Sequence, residues 1–465
     1  MKRFVEIARR AFLEFLFLPS LIIVGFLALA VGTTILDHSQ AEWIAPFRAT
    51  LVDLLFRDRQ ATSDLLTTIA GSIITVTSIT FSLLLLAVQQ AANALTPEAY
   101  DQFLLRRINQ TYFGFFVGVA VYALIILATM AGPYNPVFGA TVALLLTITS
   151  LLILILLLYT TINQMRPVVV IDMIHDRILT ARKHQHSLLR RTRREALGAG
   201  PAIEAVTAST YGYIVRLDID AVGEAAAAAG EVEVTMLVCI GSYVAFQDTV
   251  AEVRASSQEA ATNVAEVVSG AIHVEEQRDL DTDPGYGIDQ LAIIGWTSVS
   301  TAKSNPSPGT LVLHSLRDVL ARWSAEEMNG ADDIEEPTLV PVVYKDEMFP
   351  RLFDAFETLA VVASESMQPQ TAAEFYRTFT IMFNRVPTAW QSRVEDLLLR
   401  SLSSLGEHVI TAELDTAVQE LIHVLQAAGR TDTASRIEEA RRELGESIGK
   451  LGSRATRAEG RADAR

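Results

Sequence analysis

"TTIAGSIITVTSITFSLLLLAVQQAAN", residues 67–93, is apolar enough to sit in a bilayer, yet its first sixteen residues hold eight hydroxyls and it ends in glutamines and an asparagine. On a helical wheel at about 100° per residue these polar groups are not scattered. Thr67, Thr68, Gly71, Ser72, Thr75, Ser78, Ser82, Gln89, Gln90 and Asn93 share an arc of roughly 140°. Thr77 and Thr80 fall outside it, and the bulky apolar residues inside it are Ile79, Leu85 and Leu86. No charged residue lies in the stretch, which favours neither a proton relay nor a strongly coupled transporter.

The stretch belongs to one of four apolar runs, at residues 11–36, 65–91, 113–130 and 137–161. Each reaches or nearly reaches the roughly 20 residues needed to cross a hydrocarbon core of about 30 Å. The first run follows a basic start but is too long for a cleaved signal, so a retained anchor is expected. No comparable run follows residue 161, and residues 166–465 are expected to be water-soluble.

Orientation follows from the basic residues. Lys2, Arg3, Arg9 and Arg10 precede the first span, Arg106 and Arg107 separate the second from the third, and a dense basic cluster follows the fourth. The "AGPYNP" turn between spans three and four is uncharged. Four spans with both termini cytoplasmic satisfy this pattern. The formal net charge of −16 falls wholly on the part beyond the spans, which argues against nucleic acid as a partner. The single cysteine, Cys239, excludes an internal disulfide and any multi-cysteine metal site; it reads as a buried structural thiol in a strand-like run.

Residues 167–195 read as a helix continuing from span four. Seven basic residues and no acid lie between Arg177 and Arg194. Arg182, Lys183, Arg190, Arg191, Arg193 and Arg194 are candidate ligands for anionic lipid headgroups, at about 1 kcal/mol per charge near the surface; the alternative is that they only enforce topology. His175, His184 and His186 lack a zinc pattern with a carboxylate or thiol in step.

Residues 197–209 read as a linker. "YGYIVRLDIDAV" and "EVEVTMLVCIGSYVAFQDTVAEV" read as strands of a small β-barrel or sandwich around Gly241. The second phrase resembles the hairpin of lipoyl- and biotinyl-type barrels, but the chain has no lysine between Lys183 and Lys303 to carry such a group. "RDLDTDPGYGIDQ" alternates Asp279, Asp281 and Asp283 like a calcium loop, yet Pro284 and Gln290 stand where that loop needs glycine and glutamate, so it reads as a helix start. A buried helix is expected from Leu291, an amphipathic one over 310–323, a strand at "LVPVVY", and a helical bundle over 349–363, 371–383, 389–405 and 412–428. The tail from Thr431 reads as charged and partly disordered.

The expected fold is thus an α-helical polytopic membrane protein with a cytoplasmic α+β portion, a small β-barrel-like unit plus a helical bundle. Its expected domains are 1–165, 166–208, 209–255, 256–430 and 431–465. No phosphate loop, nucleophile elbow, zinc-protease motif or dinucleotide fingerprint is present, so no cofactor, metal or catalytic residue is assigned.

"ITVTSITFSLLLLAVQQAANALTPEAYDQFLLRRINQTYFGFFVGVAVYALIIL", residues 74–127, resembles the signature region of the bacterial "domain of unknown function 2254" family of predicted membrane proteins. "YGYIVRLDIDAV" and "YGIDQLAIIGWTSVSTA" resemble later blocks of the same family. The chain departs from the family pattern at Thr96-Pro97-Glu98, Asn163-Gln164 and Pro306-Ser307-Pro308. The resemblance implies the membrane topology and supplies no function.

Two uses of the polar face stay open. Small and hydroxylated residues let helices pack closely, with hydroxyls bonded to a neighbour or to their own carbonyls; Gly114 and Gly118 offer a similar face on span three. Alternatively, the face repeats around a homo-oligomer axis and lines an ion path. Thr68, Ser72, Thr75, Ser78, Ser82, Gln89 and Asn93 then line the pore, with Ile79 and Leu86 as apolar constrictions that gate by dewetting. The function classes carried forward are an oligomeric ion channel and a membrane-anchored scaffold or sensor.

Overall fold

The computed structural model describes residues 16–39, 45–94, 107–130, 134–164, 166–198, 201–301, 305–329, 339–405 and 410–446. The amino-terminal basic cluster, the Thr96-Pro97-Glu98 turn and the end of the tail lie outside these residues. The chain divides into two compact units, Met1–Val169 and Val170–Arg465.

The first unit is helical: α1 (Phe17–His38), the short α2 (Ala45–Leu54), α3 (Arg59–Ala94), α4 (Arg107–Ala128) and α5 (Val137–Gln164). Four helices are long and apolar enough to cross a membrane, over Phe17–His38, Arg59–Leu83, Gln110–Ala128 and Val137–Asn163. Helix α3 starts earlier than the apolar run because Asp58 caps it, its carboxylate accepting from the backbone N–H groups of Gln60 and Ala61. Helix α4 is central: half of its span is buried, against 17% for α1 and α5. Glycine lets α1 approach it. A Cβ at Gly114 would stand 2.8 Å from the Pro19 Cα, and one at Gly118 2.2 Å from the Phe26 ring. The Gly-x-x-x-Gly face of span three is therefore used for packing, and its partner is span one.

Polar groups tie the end of α1 to the start of α5. The Asp37 carboxylate accepts from the N–H groups of Phe138 and Gly139, each at 2.9 Å. These donors have no carbonyl partner within α5, so a carboxylate at that helix end satisfies both and meets the positive end of the helix dipole. Arg48 donates to the Asp37 carbonyl. The Tyr122 hydroxyl bonds to Thr33 at 3.0 Å and donates to the Gly139 carbonyl.

The second unit begins within α6 (Pro167–Arg191). It continues as β1 (Ala202–Thr207), β2 (Gly212–Leu217), α7 (Ile219–Ala229), β3 (Val232–Met236), β4 (Tyr243–Val244), β5 (Thr249–Ala255), α8 (Gln258–Ala271) and β6 (Ile272–Glu275). Then follow α9 (Pro284–Val299), α10 (Pro306–Asn329), β7 (Val342–Val343), α11 (Met348–Glu365), α12 (Pro369–Met382), α13 (Thr388–Leu405), α14 (Ala412–Ala427) and α15 (Thr431–Glu446).

The strands do not close into a barrel, which corrects the expectation. They form two open sheets, one of four strands in the order β1-β5-β3-β7 and one of three in the order β4-β2-β6. The first sheet is antiparallel except that β7 joins β3 in parallel. The residues read as a linker contain β1, and the tail read as partly disordered is helical through Glu446. Helices α7 and α8 cover a core of Val222, Ala226, Val234, Val253, Val264 and Val268. Cys239 is buried in this core, in the turn after β3 rather than in a strand, and burial pushes its thiol pKa up. The helical part centres on aromatic side chains, with Phe356 and Phe375 each 5.2 Å from the Phe379 ring.

Helix α9 starts at Pro284, behind an Asp283 N-cap, and is buried on one side only: Ile293 and Trp296 stand exposed.

Candidate functional site

The polar arc of span two faces away from the helices it packs against in its own unit. Thr67, Thr68, Gly71, Ser72, Thr75, Ser78, Ser82 and Gln89 are all exposed. So are Ile79, Leu85 and Leu86. The opposite side of α3 supplies Leu66, Ile69, Ala70 and Ile73 to the core shared with Val119, Tyr122 and Ala123 of α4. Thr80, outside the arc, is buried, and Thr77 is half-buried. Gln90 and Asn93 lie near the end of α3, with side chains outside the described ones.

Five of the arc's six exposed hydroxyls turn back on their own helix. Thr67 donates to the Ser63 carbonyl, Thr68 to Asp64, Thr75 to Gly71, Ser78 to Ile74 and Ser82 to Ser78, all between 2.7 and 3.0 Å. This i−4 bonding gives each hydroxyl proton an acceptor without a second helix. It leaves hydroxyl lone pairs and the whole Gln89 amide facing outward, and lipid tails offer them no donor. A Cβ at Gly71 would meet nothing within 4 Å, so the arc is an open strip on the single chain.

The basic helix α6 gives a different outcome. Arg182 departs from the headgroup expectation: it is buried, its guanidinium donates to both Asp346 carboxylate oxygens at 3.1 and 2.6 Å, and it lies 5.0 Å over the Trp323 ring. The remaining arginines are drawn largely onto the chain's own acids. Arg191 bonds to Asp220, Arg193 sits 3.8 Å from Glu233 and Arg194 2.8 Å from Glu327. Lys183 and Arg190 are exposed.

The aspartates of the "RDLDTDPGYGIDQ" loop are engaged by the chain's own donors. Asp279 accepts from the Asp281 N–H, Asp281 pairs with Arg177, and Asp283 caps α9 through the Tyr286 N–H. Arg278 donates to Asp283 at 2.7 Å and to Asp289 at 2.6 Å, and Arg351 reaches the same Asp289 oxygen. Gln185 and His184 of α6 bond to the carbonyls of Thr282 and Asp281. The loop therefore joins α6, α9 and α11, a role its spacing did not suggest.

Four apolar helices of spanning length, followed by a large unit of helices and two open sheets, define a polytopic membrane protein. The chain belongs to the family described as "Predicted membrane protein (DUF2254)", whose model matches residues 13–372. No curated protein and no solved structure matches it.

Proposed function

We propose that the chain acts as a homo-oligomer in a bacterial inner membrane, with the span-two arcs of several copies facing a common axis and lining an ion-conducting path. The observation that carries this reading is the exposure of the whole described arc on the single chain. A strip with Gln89 and five back-bonded hydroxyls gains nothing from lipid. Facing copies or water would supply the donors it lacks. Leu86 and Ile79 then form apolar rings between hydrated stretches. Both termini are assigned to the cytoplasm, so a carboxy-terminal alkaline phosphatase fusion is expected to be inactive and a green fluorescent fusion to glow; an active phosphatase overturns that orientation.

A second reading is a membrane-anchored scaffold or sensor whose second unit binds a protein or small ligand. The back-bonding favours it, because hydroxyl protons already satisfied in this way need no water and suit a dry contact between copies. Leu86→Ser separates the two. Wetting the ring is expected to raise single-channel conductance in planar bilayers. Cysteines at Thr75 and Ser82, in a Cys239→Ala background, are expected to react with water-soluble thiol reagents while one at Thr80 does not. Silent bilayers with equal protection at all three positions favour the scaffold.

A further inference from the structure

At one end of the four-stranded sheet the second unit exposes a group of large apolar side chains. Strands β1 and β3 end there, at Thr207 and Met236, and β5 begins, at Thr249. The connections at that end carry Tyr211, 60% exposed, Leu237, 50%, and Phe246, 66%. Strand β4 runs into the same turn as Phe246 and adds Tyr243, 57% exposed. The Tyr243 ring lies 5.3 Å from that of Tyr213, edge to face. None of the four belongs to the core under α7 and α8, so packing does not account for them.

The tip is held in shape by its own backbone. The Ala208 N–H donates to the Asp248 carbonyl and the Gln247 N–H to the Ala208 carbonyl, both at 2.9 Å. The Asp248 carboxylate accepts from the Ala245 N–H at 2.7 Å and closes the turn that carries Phe246. Gln247 sits at φ +70°, a conformation that residues with a side chain rarely adopt. A fixed turn thus presents Phe246 outward, and little ordering is left for a partner to impose.

Charge sets the tip apart from its surroundings. Residues 208–211 and 237–248 include one charged side chain, Asp248, although the chain beyond the spans carries the whole net charge of −16. The other end of the same sheet is polar, with Glu204 bonded to Gln258 and Arg254 3.8 Å from Glu252. Taking about 200 Å² for a whole aromatic side chain, the four residues expose on the order of 450 Å². A stable protein contact takes about 800 Å² from each partner, so the tip is too small to hold a protein by itself. A bilayer surface asks less. Tyrosine and phenylalanine rings suit the headgroup boundary, where the tyrosine hydroxyls stay wet. The four spans already hold the chain at the membrane, which raises the effective concentration of lipid at any other surface it carries.

We propose that this tip is a lipid-contact surface: Tyr211, Tyr243 and Phe246 enter the headgroup boundary of the bilayer that the chain spans. The contact gives the second unit a hold on the membrane besides its covalent link to the fourth span. It is indifferent to headgroup charge, because residues 208–211 and 237–248 hold no lysine or arginine to select an anionic lipid. It stands whether or not span two conducts.

Fluorescence quenching of the full-length chain in phosphatidylcholine nanodiscs tests it. An environment-sensitive fluorophore is placed on Thr210→Cys, beside Tyr211, in a Cys239→Ala background. The same label on Ser256→Cys, exposed past the far end of β5, is the reference. Lipids spin-labelled near the headgroup are expected to cut emission at position 210 about two-fold and to leave position 256 unchanged, while iodide quenches 210 about three-fold less than 256. Adding Tyr211→Ser and Phe246→Ser is expected to remove the quenching by lipid, and quenching that persists overturns the proposal. Equal iodide access at both positions overturns it too, because the tip then lies in water. Shielding from iodide without quenching by lipid has the same result, because a second copy or another protein then covers the tip. If Cys239→Ala fails to fold, Phe246→Trp in the otherwise unchanged chain carries the test. Brominated phosphatidylcholine is expected to quench the added emission about two-fold, and emission left at full strength overturns the proposal equally.

Discussion

Arg182→Met is expected to destabilise the second unit by about 3 kcal/mol. The guanidinium makes two hydrogen bonds to Asp346, and the Arg182 side chain is only 10% exposed. Removing it strands the Asp346 carboxylate, which keeps one backbone donor, the Met348 N–H. Asp346 is 28% exposed, so water recovers part of the loss and the cost stays toward the lower end for a broken buried pair. Arg182→Lys is expected to cost about 1–2 kcal/mol, since a point charge neither bonds in bidentate fashion nor stacks as well on Trp323. Denaturant unfolding followed by Trp fluorescence, with hydrogen exchange in α6 to localise the change, measures both. If Arg182 instead served a lipid headgroup, the methionine variant would unfold like the wild type and lose affinity for anionic vesicles.

That inward arginine was partly legible. Val170, Ile171, Ile174, Ile178, Ala181 and Gln185 are buried at helical spacing, and position 182 falls beside 178, 181 and 185 on the same stripe. Counting basic residues over the run hid this, because charge along a chain says nothing about which side of a helix carries it. The spans were easier, since length and apolar content alone specify them. The arc on span two was also readable, because a helical wheel uses only local geometry.

The sheets were not readable for the opposite reason. Alternation marks strands but not their partners. Strand β7 is two residues long and joins β3 although three strands, β4 to β6, and three helices, α8 to α10, lie between them in the chain. Strand β1 sits in a stretch whose Gly and Pro suggested a linker. The "RDLDTDPGYGIDQ" loop shows the same limit: the helix start was visible, but the grip of Arg278 on Asp289 and of Asp281 on Arg177 depends on tertiary placement.

Gly241→Ala is expected to cost about 3–4 kcal/mol, because it combines backbone strain with a blocked contact. The residue sits at φ +88°, where a side chain is disfavoured, and a Cβ there would lie 2.3 Å from Asp283 Oδ2. That carboxylate cannot step aside cheaply, since its side chain is 2% exposed, it is paired with Arg278 and it caps α9 at Tyr286. Gly230 provides the comparison. Its φ is +87° and its ψ −122°, a backbone region that side chains disfavour, yet a Cβ there would meet nothing within 4 Å, so Gly230→Ala carries strain alone, about 1–3 kcal/mol. Both costs are read from thermal or denaturant unfolding. Asp283→Ala removes the blocking oxygen at the expense of the cap and the ion pair, and in that background Gly241→Ala should fall toward the cost seen at Gly230. A coupling of about 2 kcal/mol is expected for the pair. Strictly additive costs would mean that Gly241 is required for its backbone conformation and not for the approach of Asp283.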